Sequence, residues 1–450
     1  MDATAYLSGN FAPVGEELTA TDLEVIGSIP PELRGRYVRN GPNPIDPPDP
    51  ARHHWFVGEG MVHGIRLEDG RASWYRNRWV RSPAVAERLG EAPPPRRVPE
   101  DRQLGSPNTN VVAIGGRTYA VVEAGSVPCE LGPQLETVGP SDFGGTLPWG
   151  FTAHPHTDPV TGNTHAVAYW WGWGNKVQYL VLSPEGRVTT SVDITTPGDG
   201  SPMMHDMAIT ESRAVILDLP CIFDLDLATS GRSFPYRWHE PYGSRVGVLP
   251  LDGTGEVTWV DVEPCYVFHV LNAFDLDDGR LVVDVVRHPK VFDTDLAGPS
   301  EGAPTLDRWT IDPVAGKVIE ERLDDRPMEF PRVDERRFGR PARYGYGVAI
   351  ADGLEHGPLL RHDLRTGAVA AHDHGKGRST MEAVFVPRDP DDPTGAEDDG
   401  WLMSVVHDAE ENRAELVLLD ASDFTGEPVA RVVLPTRIPF GFHGNWLPDA

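Results

Sequence analysis

Short β-rich runs broken by Asp/Gly turns recur along almost the whole chain, and almost no stretch carries the 3.6-residue apolar period of an amphipathic helix. Five segments read as strand, turn, strand: GIRLEDGRASWYRN, YLVLSPEGRVTTSVDI, GVLPLDGTGEVTWVDV, RWTIDPVAGKVIEERL and LLRHDLRTGAVAAHD. They recur at roughly 50 to 70 residues, a spacing compatible with four-stranded propeller blades that each offer one exposed hairpin. Repetition also suits the length, since 450 residues exceed the ~250 to 300 at which single compact cores stop growing. The acidic RDPDDPTGAEDDG at 388–400 reads as a surface loop rather than a linker. The expectation is one all-β domain over residues 1–450 with no long helix.

Charge then narrows the partners. Lys+Arg 40 against Asp+Glu 68 leaves −28, a field that repels phosphate backbones and anionic headgroups, so nucleic acid is excluded and membrane docking must come from apolar loops. Cys129, Cys221 and Cys265 lie far apart without a CxxC, which argues against a disulfide framework or zinc knuckle and for a reducing compartment. The first twenty residues lack a basic and then apolar leader pattern, and no run approaches the ~18 apolar residues that span a bilayer. A cytoplasmic enzyme, with peripheral membrane contact left open, is the expectation. Ser379 and Ser404 lie in no G-x-S-x-G elbow, and no glycine cluster sits in a strand-to-helix turn, so neither a serine hydrolase nor a dinucleotide site is indicated.

Histidine is where the chemistry concentrates. Of the 16, His362, His372 and His374 flank a hairpin turn, His356 follows a turn and His407 leads into the charged HDAEENR loop, so these are expected in solvent. His53 and His54 adjoin an aromatic run and are expected to pack, while His156 and His374 have no third partner in sequence for a metal clip. Four stand in apolar or aromatic settings beside strand signals: His154 in FTAHPHTD, His205 in PMMHDMAIT, His269 in CYVFHVLNAFD and His443 in PFGFHGNW. Taken singly, each is more often a core histidine satisfied by backbone, and the residues alone go no further than a candidate metal site.

Together these segments resemble the carotenoid cleavage oxygenase family, which includes apocarotenoid oxygenases, plant carotenoid dioxygenases, lignostilbene dioxygenases and the retinal pigment epithelium isomerase. The resemblance runs in family order from IPPELRGRYVRNGPNP and HHWFVGEGMVHGIRL through AHP, MHD, FHVLNAFD, MEFPRVD and EAVFVPR to FHGNW. It implies a seven-bladed β-propeller with a loop and short-helix dome over the metal-bearing face. It implies one Fe(II) per chain held by His154, His205, His269 and His443. Glu123, Glu329 and Glu382 would accept the other ring N–H of His205, His269 and His443, leaving His154 without a carboxylate. Four neutral imidazoles suit Fe(II) and leave room for O₂ on a six-coordinate ion.

The implied reaction is oxidative scission of a C=C bond by O₂ to two carbonyl products, with a carotenoid or apocarotenoid as substrate. Stilbenoid cleavage is the alternative, and a non-catalytic binding propeller a further one. Stilbene-cleaving members hold a phenol with a Lys and a Tyr, and those positions here carry Val122 and Trp79, which favours the polyene. Isomerisation is not separated from cleavage by the ligands. Trp149, Phe151, Met203, Met204, Phe268 and Phe442 are candidates for lining an apolar substrate tunnel, against a competing role in core packing.

Overall fold

Residues 188–195 alternate half-buried and exposed, as a strand with one wet face must, and they form the outer strand of a four-stranded sheet. The computed structural model describes residues 5–299, 301–350, 356–392 and 394–449. Among them the sheets are antiparallel, and the α-helices are only Pro83–Leu89 and Leu225–Thr229. All five hairpins expected from sequence are present. The pairs Lys176–Leu182 with Val188–Thr195, Arg245–Pro250 with Thr258–Asp261, Thr305–Asp312 with Lys317–Asp324 and His356–Asp363 with Ala368–His372 are the outer halves of four sheets.

Seven sheets of four or more strands make the blades of a β-propeller, and a two-stranded hairpin, Cys221–Phe223 with Tyr236–Trp238, is added to them. In chain order, blade 1 begins at Asn110–Ile114, blade 2 at His156–Thr157, blade 3 at Met207–Ile209, blade 4 at Tyr266–Asp275, blade 5 at Met328–Val333 and blade 6 at Arg378–Thr380. Blade 7 closes the ring. Its first strand is the C-terminal Gly444–Pro448, which pairs with Gly35–Pro42, while N-terminal Val25–Gly27 completes blade 6 against Ala430–Val433. Joining both ends of the chain in neighbouring blades ties the ring shut.

The facing sheets bury their apolar sides between blades, where Trp309, Trp401, Tyr37 and Tyr179 are among the largest fully buried side chains. Cys129, Cys221 and Cys265 are buried and unpaired, and burial pushes the Cys129 and Cys265 thiols up to about 12, far from a reactive thiolate. One sequence expectation fails here. His356, His362, His372 and His407 are buried rather than exposed, and His374 is half-buried, because nearness to a charged turn does not tell which face of the strand a ring occupies. His372 Nδ1 donates to the Phe424 carbonyl at 3.0 Å and His362 Nε2 pairs with Asp324 at 2.8 Å, so each makes one inter-blade hydrogen bond. His54 packs as expected, stacked on Phe234 at 4.2 Å.

Candidate metal centre

Each blade sends one residue of the sequence-predicted set to the hub. His154, His205 and His443 sit just ahead of the first strands of blades 2, 3 and 7, and His269 lies within that of blade 4. Glu123 follows the second strand of blade 1, Glu329 lies in the first strand of blade 5, and Glu382 falls in the gap between Arg378–Thr380 and Val384–Pro387 of blade 6. The ladders are interrupted where these side chains must turn inward. Pairing shifts between Val267 and Val270, around His269, and between Glu329 and Arg332. A bulge of this kind re-aims a side chain that regular pleating would send elsewhere. Ala124 and Phe330, each following a glutamate, have φ of 60° and 55°, a left-handed conformation rarely adopted by such residues.

The four histidines offer one ligand atom each, all within 4.8 Å of one another, and this is the one such cluster among the described residues. His154 Nε2 lies 3.0 Å from His205 Nε2, and His269 Nε2 lies 3.1 Å from His443 Nε2. On the outer side, His269 Nδ1 donates to Glu329 Oε2 at 2.6 Å and His443 Nδ1 to Glu382 Oε1 at 2.9 Å. Glu123 Oε2 stands 2.8 Å from His205 Nδ1 but off the hydrogen-bonding line, and its Oε1 accepts from Tyr169 Oη at 2.9 Å. Among the described residues, no carboxylate lies within ion-pair distance of His154.

These contacts test the donor set for a cation. With Nδ1–H committed to a glutamate, a neutral His269 or His443 has a bare Nε2, so two lone pairs would face each other across 3.1 Å. A cation between them removes that repulsion. Imidazole nitrogens bind a first-row ion at about 2.0–2.1 Å, so two held at right angles stand about 3.0 Å apart, the spacing found here. The residues therefore fit one metal ion with an all-imidazole shell.

Charge is distributed unevenly over the hub rings. Burial, aided by the other rings, pushes His154 well below the ordinary histidine range, and burial takes His443 down to about 4 against the pull of Glu382. Burial opposes charge on His269 too, but Glu329 outweighs it and the ring is raised. Burial alone would raise Glu382, yet Arg332 and His443 hold it at about 2, and His269 and His288 hold Glu329 well below the carboxylate range. Both are ionised acceptors at neutral pH, as ligand-orienting carboxylates must be.

Against this cluster opens a cavity of about 320 Å³, lined mainly by apolar side chains. Phe268, Phe442, Phe56, Phe330 and Val122 stand on its wall beside His205, His269 and His443. Trp171 also lines it, and that ring is 47% exposed, marking where the cavity meets the surface. The other tunnel candidates are elsewhere. Met203, Met204 and Phe151 are buried in inter-blade cores, and Trp149 lies on the surface beneath the Arg102 guanidinium at 4.9 Å. Trp79 is also away from the cavity, its Nε1 bonded to the Asn43 carbonyl. A second, polar cavity of about 190 Å³ shares His154, His269 and His443 from the other side.

Sequence reasoning missed His288 and Tyr169. His288 Nε2 donates to Glu329 Oε1 at 2.7 Å, and Tyr169 anchors Glu123. Both end regular strands, Leu281–His288 and Thr164–Tyr169, and nothing local in those strands separates them from packing residues.

The comparisons with known proteins agree with this arrangement. Residues 11–448 match the family described as Retinal pigment epithelial membrane protein. A carotenoid cleavage oxygenase of Mycobacterium tuberculosis is 45% identical across 98% of this chain and 97% of its own length, and a carotenoid 9,10(9',10')-cleavage dioxygenase of Crocus sativus is 32% identical across 97% and 88%. Among solved structures, a Pseudomonas brassicacearum lignostilbene dioxygenase superposes with a TM-score of 0.86 at 28% identity over 99% of each chain. A cobalt-substituted Synechocystis apocarotenoid oxygenase does so with 0.86 at 28%, over 100% of this chain and 99% of its own. With its sequence matched end to end and its fold shared, the chain belongs to the carotenoid cleavage oxygenase family.

Proposed function

We propose that this protein is an Fe(II)-dependent dioxygenase that cleaves a C=C bond of a carotenoid or apocarotenoid, giving two carbonyl products. The observation that carries the reading is the juxtaposition of four inward Nε2 atoms, paired at 3.0 and 3.1 Å, with an apolar cavity ending on three of the same rings. When bound, the iron supplies the activation of O₂. The chain supplies the rest. Glu329 and Glu382 fix two rings with Nε2 turned inward, and Glu123 stands against a third. Phe56, Phe268, Phe330 and Phe442 exclude water and hold a flat conjugated chain against the hub.

The polyene reading over a stilbenoid one is supported by Val122 on the wall and by the lack of any lysine among the described lining residues, so no ammonium is present to hold a phenol. Iron-loaded protein incubated with apocarotenals under ¹⁸O₂ is expected to yield shorter aldehydes carrying label. Turnover of stilbenes alone, or of neither class at full iron content, rejects the reading.

Among the described residues, no helix is long and apolar enough to cross a membrane. The exposed Trp171 at the cavity, with Phe223 stacked on it at 5.0 Å, offers an apolar contact for taking a polyene from a bilayer. Sedimentation with neutral liposomes is expected to be insensitive to salt and reduced in Trp171→Glu. Attachment that grows at low salt contradicts it.

A further inference from the structure

Three of the four hub histidines have a glutamate beside the ring, and among the described residues His154 has none. A fourth buried carboxylate lies next to the cluster. Asp206 is 4% exposed and directly follows His205. Its Oδ1 accepts from His156 Nε2 at 2.7 Å and from the Met207 backbone N–H at 2.7 Å, and its Oδ2 accepts from the Val270 backbone N–H at 2.8 Å.

Those three donors come from three separate blades. His156 lies two residues beyond His154 at the start of blade 2, Met207 two beyond His205 in blade 3, and Val270 one beyond His269 in blade 4. His154 and His156 both line the second, polar cavity, so the two rings face the same space. Seating the His156 ring on Asp206 therefore sets the direction of His154. The blade 3 bond ties Asp206 to its own strand, and the blade 4 bond crosses the ladder irregularity that turns His269 inward.

We infer that Asp206 is a positioning residue for the metal centre, a single carboxylate that fixes the relative placement of the strands bearing His154, His205 and His269. It acts on the backbone and on His156 rather than on a ligand ring. An ionised group suits this work, because its two oxygens accept all three donors at a residue that is 4% exposed. Asparagine could accept on one side only, leaving an N–H of one strand facing an NH₂ group.

This inference rests on the metal centre proposed above, and the test separates the two. Holoprotein loaded with Co(II) is challenged with a strong chelator, and release is followed together with the visible ligand-field bands. Asp206→Asn is expected to release metal about 10- to 100-fold faster than the parent and to shift the bands. His156→Phe, which cuts only the blade 2 tie, is expected to do so more weakly. Asp218→Asn is the control for buried-carboxylate loss: Asp218 is fully buried and holds Tyr242 Oη at 2.5 Å and Arg245 at 2.8 Å, away from the hub. It is expected to lower the melting temperature without altering release or spectrum. Release from Asp206→Asn equal to the parent or to Asp218→Asn overturns the inference while the metal centre stands. Should Asp206→Asn not fold, unchanged release from His156→Phe overturns it. A parent protein that takes up no metal overturns both.

Discussion

Glu329 accepts His269 Nδ1 at 2.6 Å on Oε2 and His288 Nε2 at 2.7 Å on Oε1, so one carboxylate joins a hub histidine to a histidine at the end of a neighbouring strand. The Phe330 N–H also bonds Oε2, at 2.5 Å, in the left-handed turn that follows. A buried carboxylate with three donors is ionised and immobile, and His269 is as fixed as the acceptor it points to.

Glu329→Gln keeps the volume but offers one acceptor oxygen in place of two. Either His269 or His288 then faces an NH₂ group, at a cost of about 1–3 kcal/mol for the unpaired buried donor. Metal affinity is expected to fall about 10- to 100-fold, with a lowered melting temperature. Metal content after dialysis against graded chelator measures it, and parent-like retention rejects the role given to Glu329.

Gly41 reports on the same hub from the other end of the chain. A Cβ at Gly41 would lie 2.8 Å from the Gly441 Cα, while Asn40 N–H bonds the His443 carbonyl at 3.0 Å and Phe442 N–H the Asn40 carbonyl at 3.1 Å. Two backbones touch here, so Gly41→Ala must move the segment carrying Phe442 and His443. Lower iron content and slower turnover are expected, together with a loss of stability of about 1–3 kcal/mol from overpacking. Chemical denaturation and iron analysis on one preparation check both parts.

How much of this was legible follows from which faces are wet. Val188–Thr195 has one exposed face, and its alternation reads directly from sequence. His156–Thr157 and Met207–Ile209, which open blades 2 and 3, are two and three residues long, too short for a period, and the ladder breaks around His269 and Glu329 erase it further. The hub histidines were recognised by motif order across the chain, since their separations carry no metal-clip spacing. Tunnel residues fared unevenly for a related reason. Phe268 and Phe442 directly precede hub histidines and do reach the cavity, whereas Met204, with the same relation to His205, turns into the inter-blade core. Met204 and Phe442 lie ahead of their first strands, where no strand period sets the facing, and sequence does not announce it.

Acid sensitivity follows from buried histidines outside the set of four hub ligands. Burial takes His63 and His356 down to about 3 and His165 to about 4, against an unfolded value near 6.5. Their folded values are depressed, so their contribution is complete above pH 6.5, where both states are neutral. It is lost as pH falls, because the unfolded chain takes protons that the folded chain refuses. Each ring removes about 1.4 kcal/mol per pH unit between its two values. His165→Gln, on a ring whose Nδ1 lies 2.7 Å from Tyr179 Oη, is expected to flatten the stability slope between pH 6 and 4.5 by about that amount. Denaturant titrations at several pH values measure it, and a slope parallel to the parent refutes it.

Val122 decides what the cavity can hold beside the hub. It stands on the wall with Ala124, Tyr169 and Phe268, where a methyl surface meets an apolar chain without desolvating any charge. Val122→Lys would place an ammonium in this site, and an ammonium out of water either gives up its proton or draws water in. Both outcomes work against a hydrocarbon polyene, and a phenolic end group is the one ligand that gains a partner. Turnover of an apocarotenal is expected to drop at least about tenfold while iron content stays at the parent value, since Val122 touches no hub ring through a hydrogen bond. Binding of a hydroxystilbene is expected to strengthen in the variant. Unchanged apocarotenal turnover would mean that the polyene does not pass Val122 at all, and the substrate path would have to be redrawn along another wall of the cavity.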